Sequence, residues 1–191
     1  MRASAPNPNQ SEAVEPAVPM GRYRPPQPKA SPYITAEGFA LLQQELEDLW
    51  GRRAVVTAAL SAAAAEGDRS ENAEYIYRKK ELAGIDRRIR YLQKRLPLLT
   101  VTAAVPADTS RIFLGAWVEL EDEAGEVHRY RIVGPDEFDR DPAYISLDAP
   151  LARALLKKAR DEEVEVATPQ GKRTFYILDI RYPDPQEPQA S

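Results

Sequence analysis

Two carboxylic acids, Asp68 and Glu71, stand three residues apart in a short polar segment of this 191-residue chain, Gly67 to Glu74. Such acids can bind a metal, because Mg²⁺ is held in proteins by one or two carboxylates together with waters and phosphate oxygens. They can also begin a helix as a capping box, in which Asp68 accepts a hydrogen bond from the backbone N–H of Glu71 and the Glu71 side chain reaches back to the N–H of Asp68. Taken by themselves the residues favour capping, and they leave both interpretations open.

This segment lies in the middle of a long stretch that predicts two helices. The chain contains 17 prolines, but none lies between Tyr33 and Leu96. On both sides of the segment, apolar residues recur alternately three and four positions apart, as in a heptad seam. The seam residues are Phe39, Leu42, Leu46, Leu49, Val56 and Leu60 before the segment, with Arg53 in one position, and Leu82, Ile85, Ile89, Leu92, Leu96 and Leu99 after it.

The two helices are predicted to fold back antiparallel about Asp68, so that residues 33–100 form a coiled-coil hairpin with an acidic tip. About 29 residues at about 1.5 Å each give a rod of about 40 Å. Thr35 is the predicted N-cap of the first helix, and Pro97 ends the second.

The antiparallel register predicts two pairs of neighbouring residues in the hairpin. It places Leu46 near Ile89. It also sets Gly51 opposite Gly84, either as a close approach of the helices or as a soft point in the rod.

The second predicted helix is strongly basic. Residues 75–96 contain eight Arg or Lys against Glu81 and Asp86. Composition favours a solvated face that forms ion pairs with acids of the first helix. The alternative is a surface that contacts phosphates, since Arg and Lys neutralise a nucleic-acid backbone without reading its sequence. The basic residues nearest the tip form the RNA-binding strip of this second interpretation: Arg78, Lys79 and Lys80.

The rest of the chain excludes several classes of protein. It has no cysteine, which excludes disulfides and thiol catalysis. No apolar run approaches the about 18 residues of a membrane span, so a cytoplasmic protein without membrane contact is expected. Residues 101–191 contain 11 Arg or Lys and 18 Asp or Glu, which argues against a generally basic nucleic-acid binder. Residues 1–32 hold eight prolines and few large apolar residues, and we predict a disordered extension there and a disordered tail at 184–191.

After a linker at 101–110, alternation of apolar and polar residues replaces the helical spacing. It predicts a strand hairpin around the turn at 122–125, a short strand at 144–147, a helix from Pro150 to Lys158 and a closing strand hairpin that ends near residue 180. These elements predict a small α+β domain at 111–183. Trp117 is assigned to its core. His128, the single histidine, is assigned to the surface without a partner for metal binding or catalysis.

Several segments of the chain resemble one known protein family. The tip from Gly67 to Tyr75, with Lys79-Lys80 and the run from Ile85 to Leu92, resembles the bacterial Gre-type transcript cleavage factors. The Asp-Arg-Ser-Glu-Asn form of the tip is most similar to the GreB branch of that family. Four segments resemble the family's FKBP-like C-terminal domain independently: Phe113 to Val118, Arg131 to Gly134, Tyr144 to Ser146 and Pro150 to Leu156.

The resemblance covers about residues 33–182, and it implies a two-domain α+β fold. An N-terminal antiparallel coiled-coil hairpin is followed by a small FKBP-like domain. The implied protein is a transcription elongation factor and not itself an enzyme. It would bind bacterial RNA polymerase through its C-terminal domain, insert the hairpin into the secondary channel, and stimulate the polymerase's own cleavage of backtracked RNA.

The resemblance also assigns roles at the tip. Asp68 and Glu71 would help to hold a second Mg²⁺ beside the metal of the polymerase, at the 3′ end of backtracked RNA. Arg69, Ser70 and Asn72 would support the tip. The free protein would be a monomer, grouped with DNA-binding regulators of transcription.

One residue departs from the family pattern, and two other functions stay open. Glu66 adds an acid beside the tip, which could tighten metal binding or repel RNA. A hairpin of this shape could also modulate initiation from the secondary channel without stimulating cleavage. An FKBP-like isomerase or chaperone would need an aromatic-lined apolar pocket in the C-terminal domain. An autonomous nuclease is disfavoured, because two acids on a solvated tip form too open a metal site.

Overall fold

The computed structural model describes residues 29–65, 72–168 and 171–183. None of the helices in these ranges has the length and apolar character needed to cross a membrane. The elements in chain order are β1 (Tyr33–Ile34), α1 (Ala36–Ala65), α2 (Ala73–Arg95), β2 (Thr100–Val101), β3 (Trp117–Asp122), β4 (Val127–Val133), β5 (Tyr144–Ser146), α3 (Pro150–Leu155), β6 (Glu163–Thr168) and β7 (Gly171–Arg181), with 3₁₀ turns at Leu96–Leu98 and Phe138–Arg140.

Helices α1 and α2 pack as the predicted antiparallel hairpin. Leu46 packs against the cluster that contains Ile89, as the register predicted. Arg53 fills its predicted seam position, and its Nε donates to the Asp86 carboxylate across the hairpin at 2.7 Å. The side chains buried along the seam are Leu42, Val56, Ile85, Ile89 and Leu92.

Two further ion pairs cross the hairpin and reinforce this register. Arg88 donates two hydrogen bonds to the Glu45 carboxylate, at 2.6 and 2.8 Å, which lowers the pKa of Glu45. Arg52 donates to Glu81 at 2.7 Å. These pairs are partly exposed, so each adds little to the stability of the protein. Their main effect is on specificity, because a slip of one helical turn would separate all of them.

The ends of the hairpin are formed by the predicted signals. The Thr35 hydroxyl accepts a hydrogen bond from the backbone N–H of Gly38 at 3.0 Å, which confirms Thr35 as the N-cap of α1. Helix α2 ends at Arg95, and the 3₁₀ turn that contains Pro97 follows it. β1 and β2 then pair in parallel and close the base of the hairpin.

Gly51 and Gly84 do not mark a close approach of the helices. A Cβ placed on either glycine would meet no atom within 4 Å. The close-approach interpretation is therefore wrong, and both glycines lie inside helices where packing does not require them.

The second domain is a five-stranded sheet in the order β5-β4-β3-β7-β6. Neighbouring strands are antiparallel except for β4 and β5, which are parallel. One face of the sheet and α3 bury a single core, and the two-domain α+β fold is as predicted. This core contains Ile112, Val118, Leu120, Ile132, Ala152, Leu155, Val164, Val166, Phe175 and Ile177.

Helix α3 begins at Pro150 as predicted but is shorter than expected. It ends at Leu155 and does not reach Lys158. Lys157 has φ of +67°, outside the helical region. Its backbone N–H donates to the carbonyl of Ile112 at 2.8 Å, so a tertiary bond replaces the last helical turn.

Trp117 does not belong to the core, and that prediction is wrong. Successive side chains of a strand point to opposite faces, and its neighbours Ala116 and Val118 are buried in the core. Trp117 is half-buried on the other face of β3. The guanidinium of Arg129 lies 4.5 Å from its ring centroid, and the Tyr144 ring lies 6.0 Å away edge-on.

Polar contacts join the base of the hairpin to the sheet domain. Glu137 accepts hydrogen bonds from the backbone N–H and the hydroxyl of Thr35, at 3.1 and 2.7 Å. Arg95 at the end of α2 donates to Asp136 at 2.8 Å. A third contact joins Arg131 of β4 to Glu37 of α1 at 3.0 Å.

The contacts at the base also involve residues beyond the predicted hairpin bounds of 33–100. The backbone N–H of Ser31 donates to Asp148 at 2.8 Å. The carbonyl of Pro32 accepts from Thr100 at 2.8 Å, and the N–H of Thr102 donates to Ile34 at 3.0 Å. Of the extension predicted at 1–32, the structure describes only residues 29–32, and the tail predicted at 184–191 lies outside the described residues.

Replacing Gly51 or Gly84 by Ala should stabilise the protein by about 0.5–1 kcal/mol each, because Ala loses less backbone freedom on folding and its methyl group has room. Urea unfolding followed by circular dichroism measures the free energy. Gly125 is the matched control, since its φ of +79° disfavours any side chain and Gly125→Ala should destabilise. A loss of stability in the Gly51 variant would show that the helices do approach each other there.

Candidate functional site at the hairpin tip

The predicted tip lies between the far ends of the two long helices. α1 ends at Ala65 and α2 begins at Ala73. Asp68, Arg69, Ser70 and Glu71 belong to the connection 66–71, which lies outside the described residues. The flanking helix ends therefore define where this connection starts and finishes.

Asn72 joins the two helix ends. Its Oδ1 accepts from the backbone N–H of Tyr75 at 3.1 Å and caps α2. Its Nδ2 donates to the carbonyl of Ala63 near the end of α1 at 2.9 Å. One side chain thus satisfies a free donor of one helix and a free acceptor of the other.

This arrangement corrects the capping interpretation of the tip acids. Asn72 has an extended backbone, with φ of −82° and ψ of 101°, so α2 cannot continue back to residue 68. Asp68 is therefore not the N-cap of α2. Asn is among the preferred capping residues, and its place directly before Ala73 was the signal that the sequence interpretation passed over.

The end of α1 next to the tip carries mostly small side chains. Residues 58–65 contain six alanines, with one leucine and one serine. Ala63 is buried, and its carbonyl is the one that Asn72 binds. The distal end of the hairpin is therefore narrow, while Ile76 and Tyr77 of α2 are exposed beside it.

The three residues of the predicted basic strip have different surroundings. Arg78 donates to Glu74 at 2.7 Å and to Glu81 at 3.1 Å, and these bonds raise its pKa. Lys79 and Lys80 are exposed, and neither forms an ion pair with any residue in the described ranges. Of the three residues in the strip, the two lysines are therefore the ones whose positive charges have no acidic partner among the described residues.

The rest of the basic face divides in the same way. Arg88 pairs with Glu45 of α1, as the composition had favoured, whereas Arg95 pairs with Asp136 of the sheet domain. Three other exposed cations have no ion-pair partner among residues that the structure describes: Arg87, Arg90 and Lys94.

A second group of metal-binding residue types lies at the β3–β4 turn. Asp122, Glu126 and His128 are close enough to share an ion. His128 was predicted to have no such partner, which is wrong, because its Nε2 is 3.1 Å from Asp122 Oδ2. However, Arg173 donates to the same oxygen at 2.8 Å, and the hydrogen bond from His128 lowers the pKa of Asp122. The guanidinium of Arg173 already neutralises this carboxylate, so we assign no ion to the turn.

An apolar cleft of about 480 Å³ lies where the hairpin base meets the sheet domain. Its two aromatic side chains are Tyr33, which belongs to the hairpin base, and Phe113. The cleft is otherwise lined mainly by aliphatic groups, among them Pro106, Leu114, Leu147 and Leu156.

Comparisons with known proteins match both domains. The family described as "Transcription elongation factor, N-terminal" matches residues 32–101, and "Transcription elongation factor, GreA/GreB, C-term" matches residues 107–182. Transcription elongation factor GreB of Xanthomonas axonopodis pv. citri is 58% identical over 165 residues, which cover 85% of this chain and 98% of that protein. GreB of Pseudomonas aeruginosa is 57% identical over 165 residues, 86% and 98% of the two chains.

A solved structure of the transcription factor Gfh1 aligns with 29% identity over 78% of this chain and 96% of that chain. Its TM-score of 0.39 is too low to establish a common arrangement of the whole chains.

A long helical hairpin on a small α+β domain, matched in both parts, defines an accessory factor of transcription. The chain belongs to the GreA/GreB family of transcription elongation factors. The resemblance to the GreB branch is also confirmed, since the relatives of that name are 58% and 57% identical.

Asn72→Ala should destabilise the hairpin by about 1–2 kcal/mol, because it removes both the cap and the bridge to Ala63. Asn72→Asp keeps the capping oxygen but loses the amide donor, so it should lose less. Urea unfolding and amide exchange at Tyr75 and Ile76 measure the effect, with the exposed Ser61→Ala as control. Equal losses in the Ala and Asp variants would mean that the bridge alone matters, and no loss in either would contradict the assignment.

Proposed function

We propose that this chain binds bacterial RNA polymerase and stimulates the polymerase's own cleavage of backtracked RNA, so that arrested complexes resume elongation. The observation that supports it most is the hairpin: α1 has 30 residues, which is about 45 Å at about 1.5 Å per residue, and it ends at the connection that carries Asp68 and Glu71. A rod of this length can bring two acids into a site that belongs to another molecule. The free chain is a cytoplasmic monomer in this proposal.

The division into two domains supports separate roles for docking and delivery. In the proposal, the sheet domain holds the polymerase at the rim of the secondary channel, and the hairpin enters the channel. The small side chains of residues 58–65 keep the entering end narrow. Membership of the elongation-factor family supports the same assignment.

The acids of the tip fit a shared Mg²⁺ site better than a site of their own. Carboxylate oxygens are ligands that Mg²⁺ accepts. Glu74 is the described acid nearest the connection, and its carboxylate already accepts a hydrogen bond from Arg78 Nε at 2.7 Å. Asp68 and Glu71, with Glu66 beside them, are then the acids left to act, which is too few to hold a metal tightly without the partner's ligands.

When bound between the two proteins, a second Mg²⁺ would stabilise the attacking and leaving oxygens of the phosphodiester. The chain's own part is to place two negative charges where that ion must sit. Arg69, Ser70 and Asn72 would support the tip, and Asn72 would do so through its bonds to both helix ends.

Lys79 and Lys80 are the residues we propose to contact the backtracked RNA near its 3′ end. Both are exposed near the start of α2, and their charges have no described acidic partner. Arg78 has a different role, because its bonds to Glu74 and Glu81 make it part of the hairpin's own structure.

The alternatives differ in what the tip does. A channel regulator that does not stimulate cleavage has no need of two acids at the tip. An isomerase would need a pocket rich in aromatic side chains within the sheet domain, whereas the apolar cleft has Phe113 and, from the hairpin base, Tyr33. A proline-isomerisation assay tests that function directly.

Asp68→Asn or Glu71→Gln should reduce RNA cleavage in a halted polymerase complex by at least about a hundredfold, or about 2.7 kcal/mol of transition-state stabilisation. Each variant should still compete with the wild type for polymerase. Glu74→Gln is the matched control, since it removes a nearby carboxylate that Arg78 already neutralises, and its cleavage should change less than about threefold. Near-normal cleavage by both tip variants across a Mg²⁺ titration would remove the metal role.

Replacing Lys79 and Lys80 together by Ala should weaken action on long backtracked transcripts more than binding to RNA-free polymerase. The salt dependence of the effect should fall by about 0.7 in logarithmic slope for each lost phosphate contact. The pair Arg90→Ala and Lys94→Ala, also exposed but farther from the tip, is the control. Equal losses in both assays would assign the lysines to protein docking.

A further inference from the structure

Glu137 occupies an unusual position for a carboxylate. Only 3% of its surface is exposed, although it lies in a loop of the sheet domain. Its oxygens accept three hydrogen bonds, from the N–H of Thr35 at 3.1 Å, the hydroxyl of Thr35 at 2.7 Å and the N–H of Gly134 at 2.7 Å. Two of these donors belong to the hairpin, so the buried anion spans the two domains.

The hairpin is shaped to receive this carboxylate. A Cβ on Gly38 would lie 1.7 Å from Glu137 Oε2, so only glycine leaves room for the anion in the first turn of α1. Thr35, which donates to Glu137, is also the N-cap of α1. The positive end of the helix dipole favours a negative charge at this point.

The other links to the two helices are made through helix side chains. Asp136, whose side chain is 3% exposed, is bound by the side chains of Arg95 and Tyr91 of α2, and Arg131 is bound to the Glu37 side chain of α1. These bonds hold side chains and do not reach the backbone of either helix. Glu137 instead binds a backbone N–H at the start of α1, which fixes the helix itself.

The length of the hairpin amplifies any error at its base. With α1 about 45 Å long, a tilt of about 5° moves the far end by about 4 Å. Misplacement of reacting groups by about 1 Å can cost about a hundredfold in rate. A loose base would therefore impair delivery of the tip even if the sheet domain still bound its partner.

We infer that Glu137 is a positioning residue that fixes the direction of the hairpin relative to the sheet domain and thereby delivers Asp68 and Glu71 to their target. The inference about delivery rests on the proposed function. Glu137 itself touches neither metal nor RNA in this assignment.

The test measures hairpin direction and cleavage in the same variants. Because the chain has no cysteine, spin labels can be attached at Ser61→Cys on α1 and Ala167→Cys on β6, and their distance distribution reports the angle between the domains. The variants are Glu137→Ala, the milder Glu137→Gln, Gly38→Ala, and Gly38→Ala with Glu137→Ala. The exposed Glu163→Ala is the control, and circular dichroism checks that each variant is folded.

We expect a narrow distance distribution in the wild type and the control and a broad one in Glu137→Ala and Gly38→Ala. Cleavage at saturating factor should fall at least about tenfold in those two variants, while the affinity for polymerase changes less than about threefold. Glu137→Gln should lie between. The double variant should be no worse than Glu137→Ala, because the Gly38 methyl then occupies space that the carboxylate has left.

Three results would overturn the inference: an unchanged distance distribution in Glu137→Ala, wild-type cleavage despite a broad distribution, or a loss of cleavage that only follows a loss of affinity. If the wild-type chain stimulates no cleavage at all, the proposed function fails. The label distances would then decide whether Glu137 fixes the hairpin.

Discussion

The bond between Glu137 and the start of α1 matters because the two domains have separate cores. The sheet domain buries its apolar residues around Leu120, Ile132 and Ile177. The hairpin buries its own in two clusters along the seam. Since neither core extends into the other, the angle between the domains depends on contacts at the base, which are the polar bonds and the close approach of Gly134 to Tyr33. Hydrogen bonds are directional, so a carboxylate that is held by Gly134 in its own domain and accepts two bonds from Thr35 can specify an angle that apolar packing alone would leave less defined.

In contrast to its base, the distal end of the hairpin is held together by few contacts. Near the tip the seam gives way to small side chains, and Asn72 closes the two helices with one bond to each. The thin distal part contributes little apolar burial, and stability comes from the wider section around Leu42, Val56 and Ile89. The hairpin can be both narrow at its distal end and stable, because the small side chains and the large apolar side chains lie in different parts of the same seam.

Local patterns explain why the hairpin could be predicted in detail. The alternating spacing of apolar residues fixed both helices and their register, and even Arg53 fell opposite an acid, Asp86. Trp117 was misassigned because the side of a strand that faces the core is set by the whole sheet. Alternation puts Ala116 and Val118 on one face, and Trp117 was wrongly assigned to the core with them because it lies between them in the sequence.

The link between Thr35 and Glu137 lies beyond any local pattern. These residues are 102 positions apart, and nothing in the spacing around either one indicates the other. Gly38 also gave no indication of this contact in the sequence, because a glycine in a first helical turn has several ordinary explanations. Only the folded chain shows that its missing side chain makes room for a carboxylate from another domain.

The distribution of charge along α2 follows from the same separation of tasks. Cations that face α1 or the sheet domain are used to hold the hairpin, as Arg88 and Arg95 do with Glu45 and Asp136. Those near the tip divide between Arg78, whose neighbours neutralise it, and the exposed Lys79 and Lys80. A cation that is already paired has to give up a carboxylate before it can bind a phosphate, whereas an unpaired one gives up only water. If the hairpin meets RNA, the two lysines therefore bind at the lowest cost, and Arg78 keeps the start of α2 in place while they do so.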